Sequence, residues 1–146
     1  MAMTVLSLTL NVSPLWAERS PDFIAEANCL ATNIYFEARG EPIKGQMAVA
    51  MVTLNRVAAI DFPDSICEVV HQGKNKGKCQ FSWYCDNKSD KLPDNKAANI
   101  ALAVAITAMT TPIHDITSGA LYFHTKTHKY SENVIEIGNH VFYGGS

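Results

Sequence analysis

Tyr35-Phe36-Glu37-Ala38-Arg39-Gly40-Glu41 is the stretch of this sequence with the densest chemistry. Glu37 falls in the last turn of an apolar helical pattern. A helix C-terminus disfavours negative charge, and Tyr35 and Phe36 offer a low-dielectric wall, so both effects raise the Glu37 pKa. A carboxyl that stays protonated near neutrality can hand a proton to a leaving oxygen, such as a glycosidic one. The plainer reading pairs Glu37 with Arg39 or makes it a loop cap, and local spacing alone does not decide between them. Glu41, beyond the Gly40 break, has the plain role of pairing with Arg39 or Lys44 or touching the next helix.

Two other sets of residues could carry chemistry. His124 and His128 have the four-residue spacing that binds zinc on a helix face, but they follow a strand-like run. Cys29, Cys67, Cys79 and Cys85 lack the short spacings of a zinc site, even with His71 added. No metal and no cofactor is expected. Four cysteines in a small exported domain favour disulfides. The close set Cys67, Cys79 and Cys85 should contain one bridge, either Cys67 to Cys79 or Cys79 to Cys85.

The elements that must position these residues are mostly helical. Ile24, Ala27, Leu30, Ala31, Ile34, Tyr35 and Ala38 recur at helical steps from Pro21 onward, and Gly40 stops the run. A second helix, from about Ile43 to Ala59, carries Met47, Ala50, Met51, Leu54 and Val57 on one face, with Pro42 before it. Asn55-Arg56 is read as a tie between helices. Asp64 or Ser65 caps a short helix holding Ile66, Val69 and Val70. A polar, Gly- and Lys-containing loop between Gln72 and Pro93 holds the aromatic island Phe81-Ser82-Trp83-Tyr84. Asp94 or Asn95 then caps a helix from Ala97 to Met109, which Pro112 ends. Ala120 to His124 and Val141 to Tyr143 read as short strands.

The whole is 146 residues long, enough for one domain that buries roughly 68% of its unfolded surface. Its formal charge of −2 supplies no field to gather nucleic acid or anionic lipid. Met1 to Ala17 carry no charged side chain and resemble the apolar part of a secretory signal, although no basic residue precedes it. Asn11 and Pro14 make the segment a poor permanent membrane span. The expected organisation is a signal peptide over 1–17 and a catalytic domain over 18–146, monomeric, in the periplasm or outside the cell.

Glu37-Ala-Arg-Gly-Glu41, Gly45-Gln46, Leu54-Asn55-Arg56-Val57, Phe62-Pro63, Ile66-Cys67 and Gln80-Phe81-Ser82 follow one another as in the SleB/CwlJ cell wall hydrolases. Gly119 to Phe123 and Ile137 to Phe142 resemble that family's closing blocks, so the similarity runs from about Cys29 to Tyr143. The resemblance implies a lysozyme-like single domain of the α+β class, predominantly helical, with a small β element towards the C-terminus. It further implies cleavage of peptidoglycan glycan strands, often by lytic transglycosylation, with Glu37 as the catalytic glutamate.

A sugar groove needs aromatic platforms beside amides and hydroxyls. Gln80, Ser82, Trp83, Tyr122, His124 and Asn139 are the candidates for it, with Glu41, Tyr84 and His140 as secondary ones. Phe81 and Phe123 read as core, and His140 also reads as a buried ring bonded to backbone. Hydrolysis would require a second carboxylate across the ring, which Glu41, Asp86 or Asp90 could supply. The alternatives are a hydrolytic muramidase, a zinc amidase cutting the stem peptide, and a glycan-binding module without catalysis.

Overall fold

The computed structural model describes residues 21–127 and 133–145. The 1–17 segment and His128 lie outside them. Four helices come first: α1 (Pro21–Ala38), α2 (Ile43–Ala58), α3 (Ile66–Val70) and α4 (Lys96–Thr110). Strands β1 (Tyr122–Thr125), β2 (Ile135–Ile137) and β3 (His140–Tyr143) follow. They form one antiparallel sheet in the order β1-β3-β2, with Phe142 opposite both Phe123 and Ile135. The chain is thus α+β and predominantly helical.

Helix α1 buries Ala27, Leu30, Ala31, Ile34 and Ala38 on one stripe, as its periodicity requires. Ile24 departs from that expectation: it is 54% exposed. Alanines 98, 101, 105 and 108 form the buried stripe of α4 with Val104. Asn95 caps that helix, its side-chain oxygen accepting from the Ala98 amide at 2.9 Å.

Helix α2 is buried on two faces. Ala50 and Met51 enter a core formed with α1, α3 and α4, to which Phe81 and Trp83 also belong. Ala48, Val49 and Val52 turn the other way and meet Ala120, Ile137 and Phe142 beneath the sheet. A helix apolar on both sides can sit between two layers, and α2 joins the helical layer to the hairpin.

Ser65 caps α3 by accepting from the Glu68 amide at 3.4 Å. Glu26 of α1 accepts from the Ile66 and Cys67 amides, placing a negative charge at the positive end of α3. A disulfide between Cys29 and Cys67 makes the same α1–α3 junction covalent across 38 residues, a constraint worth about 4 kcal/mol by loop entropy. The second bridge, Cys79–Cys85, encloses the Ser82–Cys85 turn and is one of the two pairings expected there.

Candidate active site

The last turn of α1 delivers Glu37 to a cleft between the helices and the hairpin. Two stretches of this cleft meet at Glu37. One, of about 460 Å³, runs past Phe36, Gly40, Glu41, Asn139 and His140. The other, of about 250 Å³, runs past Arg56, Gln80, Ser82, His124 and His140. Among the described residues no hydrogen bond reaches the Glu37 carboxyl. Burial raises its pKa, and the positive charge of Arg56 pulls it part of the way back. The pairing with Arg39 does not form, because that guanidinium donates to the Tyr35 carbonyl at 3.3 Å and lies over the Tyr35 ring.

Arg56 is buried, and its Nε–H donates to the Leu121 carbonyl at 2.7 Å. Its guanidinium lies within 5.2–5.6 Å of the Phe62, Phe81 and Tyr122 ring centres, while Nη1 finds no hydrogen-bond partner among the described residues. Asn55 beside it reaches Asp115 at 2.8 Å and the Ala120 carbonyl at 3.1 Å. Both residues therefore tie α2 to the segment that enters β1. Arg56 also lines the cleft beside Glu37, a role that its sequence position did not reveal.

Gln80 and Ser82 from one loop, His124 from β1 and Asn139 from the β2–β3 turn come together around Glu37. The His124 Nδ1 lies 2.8 Å from the Thr125 carbonyl, to which it can donate, and this contact orients the ring. His124 lies in strand β1, which removes the helical face that a His124/His128 zinc pair would need.

His140 lines both stretches, with burial lowering its pKa and Glu41 opposing that shift. Its Nδ1 finds no hydrogen bond among the described residues and stands 3.9 Å from Glu41 Oε1. This differs from the expected ring bonded to backbone. Glu41 does not pair with Arg39 or Lys44. Its side chain is 8% exposed, and Oε2 accepts from the Asn139 amide at 3.0 Å, fastening the β2–β3 turn to the start of α2. Gly138 in that turn has φ 59° and passes so close that any Cβ would strike the Glu41 carboxylate.

Three candidates stand elsewhere. Trp83 belongs to the core: it is 7% exposed, stacks on Phe36 at 4.9 Å and donates its indole N–H to Asn33 Oδ1 at 3.0 Å. A buried indole needs such a partner, and one that has it is committed to packing. Tyr84 stacks on His71 at 4.2 Å and lines a different, lysine-containing cavity. Tyr122 lines neither stretch; it stacks on Tyr143 at 5.6 Å and lies under Arg56. Phe81 is core and Phe123 packs against it, as expected.

Asp86 and Asp90 line neither stretch. Asp86 accepts from the Lys88 amide at 2.9 Å, and Asp90 lines a cavity with Lys74 and Lys88. Glu37 and Glu41 are the carboxylates along the cleft among the described residues. No group of three or more His, Cys, Asp or Glu among the described residues could hold a metal ion.

Comparison with known proteins gives a consistent picture. The family model described as Cell Wall Hydrolase matches residues 40–143, beginning just past Glu37. A spore cortex-lytic enzyme of Bacillus cereus is 34% identical over 119 residues, covering 77% of this chain and 42% of that protein. That of Bacillus subtilis is 32% identical, with 77% and 35% covered. The chain thus spans about two fifths or less of these relatives. Among solved structures, the catalytic domain of the germination-specific lytic transglycosylase SleB from Bacillus anthracis superposes with a TM-score of 0.64 at 29% identity, covering 89% of this chain and 98% of that one. The catalytic domain of the Bacillus cereus SleB protein gives 0.55 at 27%, covering 80% and 88%.

Proposed function

This chain belongs to the cell wall hydrolase family, and from that premise we propose that it cleaves peptidoglycan as a lytic transglycosylase with Glu37 as its single acid/base. The bond cut is the β-1,4 link between N-acetylmuramic acid and N-acetylglucosamine. The observation that carries the reading is a half-buried carboxyl, raised in pKa and free of hydrogen bonds from described residues, at the meeting point of two stretches of one cleft.

Protonated Glu37 donates to the glycosidic oxygen as the C1–O bond breaks, leaving an oxocarbenium-like muramyl ring. The carboxylate left behind takes the proton of that ring's 6-hydroxyl while its oxygen bonds to C1. The product is a 1,6-anhydro end, Glu37 regains its proton and no water is consumed. Arg56 lowers the cost of the ionised intermediate, so the carboxyl can serve in both halves of the cycle. Hydrolysis in the usual two-carboxylate manner would need a second free carboxylate across the ring. Glu41 is the candidate in the cleft, and it is committed to the Asn139 amide.

Gln80, Ser82, His124 and Asn139 offer the amides and ring nitrogens that bind sugar hydroxyls and N-acetyl groups. Two disulfides fit a protein working outside the reducing cytoplasm, in the periplasm or beyond the cell. No helix among the described residues is long and apolar enough to cross a membrane. Mass spectrometry of digested peptidoglycan tests the proposal: 1,6-anhydromuramyl ends are expected. Free reducing ends would replace it with a muramidase, and released stem peptides, lost on chelation, with a zinc amidase.

A further inference from the structure

Gln80 borders two cavities at once. One is the Glu37 cleft, and the other is larger, about 880 Å³, walled by the loop that follows α3. Lys74, Lys76 and Lys78 line this second cavity, and its lining holds a single acid, Glu68, which already accepts from the Ser65 hydroxyl at 2.8 Å. Three of the chain's 12 basic residues therefore gather at one cavity of a protein whose net charge is −2.

The backbone holds them there. Gly73 and Gly77 have φ of 93° and 64°, and a Cβ on Gly73 would collide with the Lys78 carbonyl. The Lys78 amide donates to Gly73 at 3.1 Å and the Gln80 amide to Gln72 at 3.0 Å, while Cys79–Cys85 closes the next stretch. Fixing three like charges in so short a loop costs Coulomb energy, and a bound anion relieves it. Tyr84, stacked on His71 with Lys74 Nζ 4.3 Å from its ring centre, gives the same cavity an aromatic wall.

We infer that this cavity receives the acidic stem peptide of the glycan strand, its carboxylates meeting Lys74, Lys76 and Lys78, with Gln80 at the branch between sugar and peptide. The inference rests on the glycan-cleaving reading of the neighbouring cleft. Stem peptides branch from muramyl rings, and a muramyl ring is what stands at Glu37 when its anomeric bond breaks. A short peptide with several free carboxylates matches both the size and the charge of the second cavity. A free anion would have no reason to share Gln80 with the sugar cleft.

Binding and turnover, measured separately on the full chain, keep the two readings apart. A soluble disaccharide-tetrapeptide titrated into Glu37→Gln should bind at least about fivefold more tightly than the same compound with amidated carboxylates. That preference should vanish when Lys74→Gln, Lys76→Gln and Lys78→Gln are combined; all three side chains are exposed, so the fold is not at stake. The ratio of kcat/KM on intact glycan to that on glycan stripped of peptides should be about tenfold in the unaltered chain and fall toward one in the triple variant. Equal binding of the two compounds, a preference that survives the triple variant, or competition by inorganic phosphate as effective as the peptide would overturn the inference. Absence of glycan cleavage with the carboxylate preference intact would instead sink the catalytic reading and leave the peptide site standing.

Discussion

Glu37, in the last turn of α1, and Asp115, in the α4–β1 connection, are both partly buried carboxyl groups, and the fold treats them in opposite ways. Asp115 accepts from Asn55 at 2.8 Å, from the Thr117 amide and hydroxyl at 2.8 and 2.6 Å, and from the Gly119 amide at 2.8 Å. Burial pushes its pKa up, but the hydrogen bonds from Thr117, Asn55 and Gly119 outweigh that and hold it below the ordinary carboxylate range. Glu37 is desolvated without any such compensation from described residues, and its pKa rises. A carboxylate that serves the fold is saturated with donors; one that must exchange a proton with a substrate is left bare.

Their effects on stability across pH have opposite signs. With its folded pKa raised, Glu37 contributes fully below its unfolded pKa, and that contribution is lost as pH rises through the folded value. With its folded pKa lowered, Asp115 contributes above its unfolded pKa, and loses that contribution as pH falls through the folded value.

The largest expected effect comes from Glu37→Gln, which keeps the shape and removes the transferable proton. Release of soluble muropeptides should fall at least about 10²-fold, with glycan binding retained and Tm unchanged or higher. Equal activity in the variant would end the distinction between the two carboxyls. Asp115→Ala is its counterpart: a loss of about 2–3 kcal/mol in urea unfolding is expected, because Asn55 and two amides lose their acceptor. Turnover by the folded fraction should be nearly preserved. A severe loss of kcat without loss of stability would make Asp115 part of the catalytic apparatus.

Legibility in the sequence follows the same division. Helices α1, α2 and α4, and the Asn95 cap of α4, were readable because periodicity and capping are local. The second buried face of α2, through Ala48, Val49 and Val52, was not readable, since an apolar stripe declares one partner and these small residues do not advertise another. Strand β2 was missed because Ile135–Ile137 is three residues long and gains its identity only from pairing with β3. Glu37 was legible from its block and helix position, but the donors around Asp115 include Asn55, 60 residues away, and no local pattern points to it. The burial of Trp83 was hidden for the same reason: an aromatic residue in a polar loop reads as exposed until Asn33, 50 residues earlier, is seen to meet its N–H.

Trp83→Phe sharpens that point. The ring stays apolar, but Asn33 Oδ1 loses its donor at a buried position, so thermal or urea unfolding should show a loss of about 1–2 kcal/mol. Affinity for soluble glycan should not change. Weakened binding at undiminished stability would return Trp83 to the sugar groove.

The smallest expected effect concerns the one charge that moderates Glu37. Arg56 opposes the upward shift caused by burial, so removing its charge should raise the Glu37 pKa further. In the proposed mechanism the acid form starts the reaction, and kcat/KM therefore falls as pH rises through that pKa. Arg56→Gln should move this alkaline limb to higher pH, whereas Arg56→Lys should leave it closer to the original. Because Arg56 also donates to Leu121 and stacks between aromatic rings, both variants lose stability, and the position of the limb is the readout that packing damage alone would not move. A limb that stays fixed in Arg56→Gln would mean that the proton controlling activity resides on a group other than Glu37.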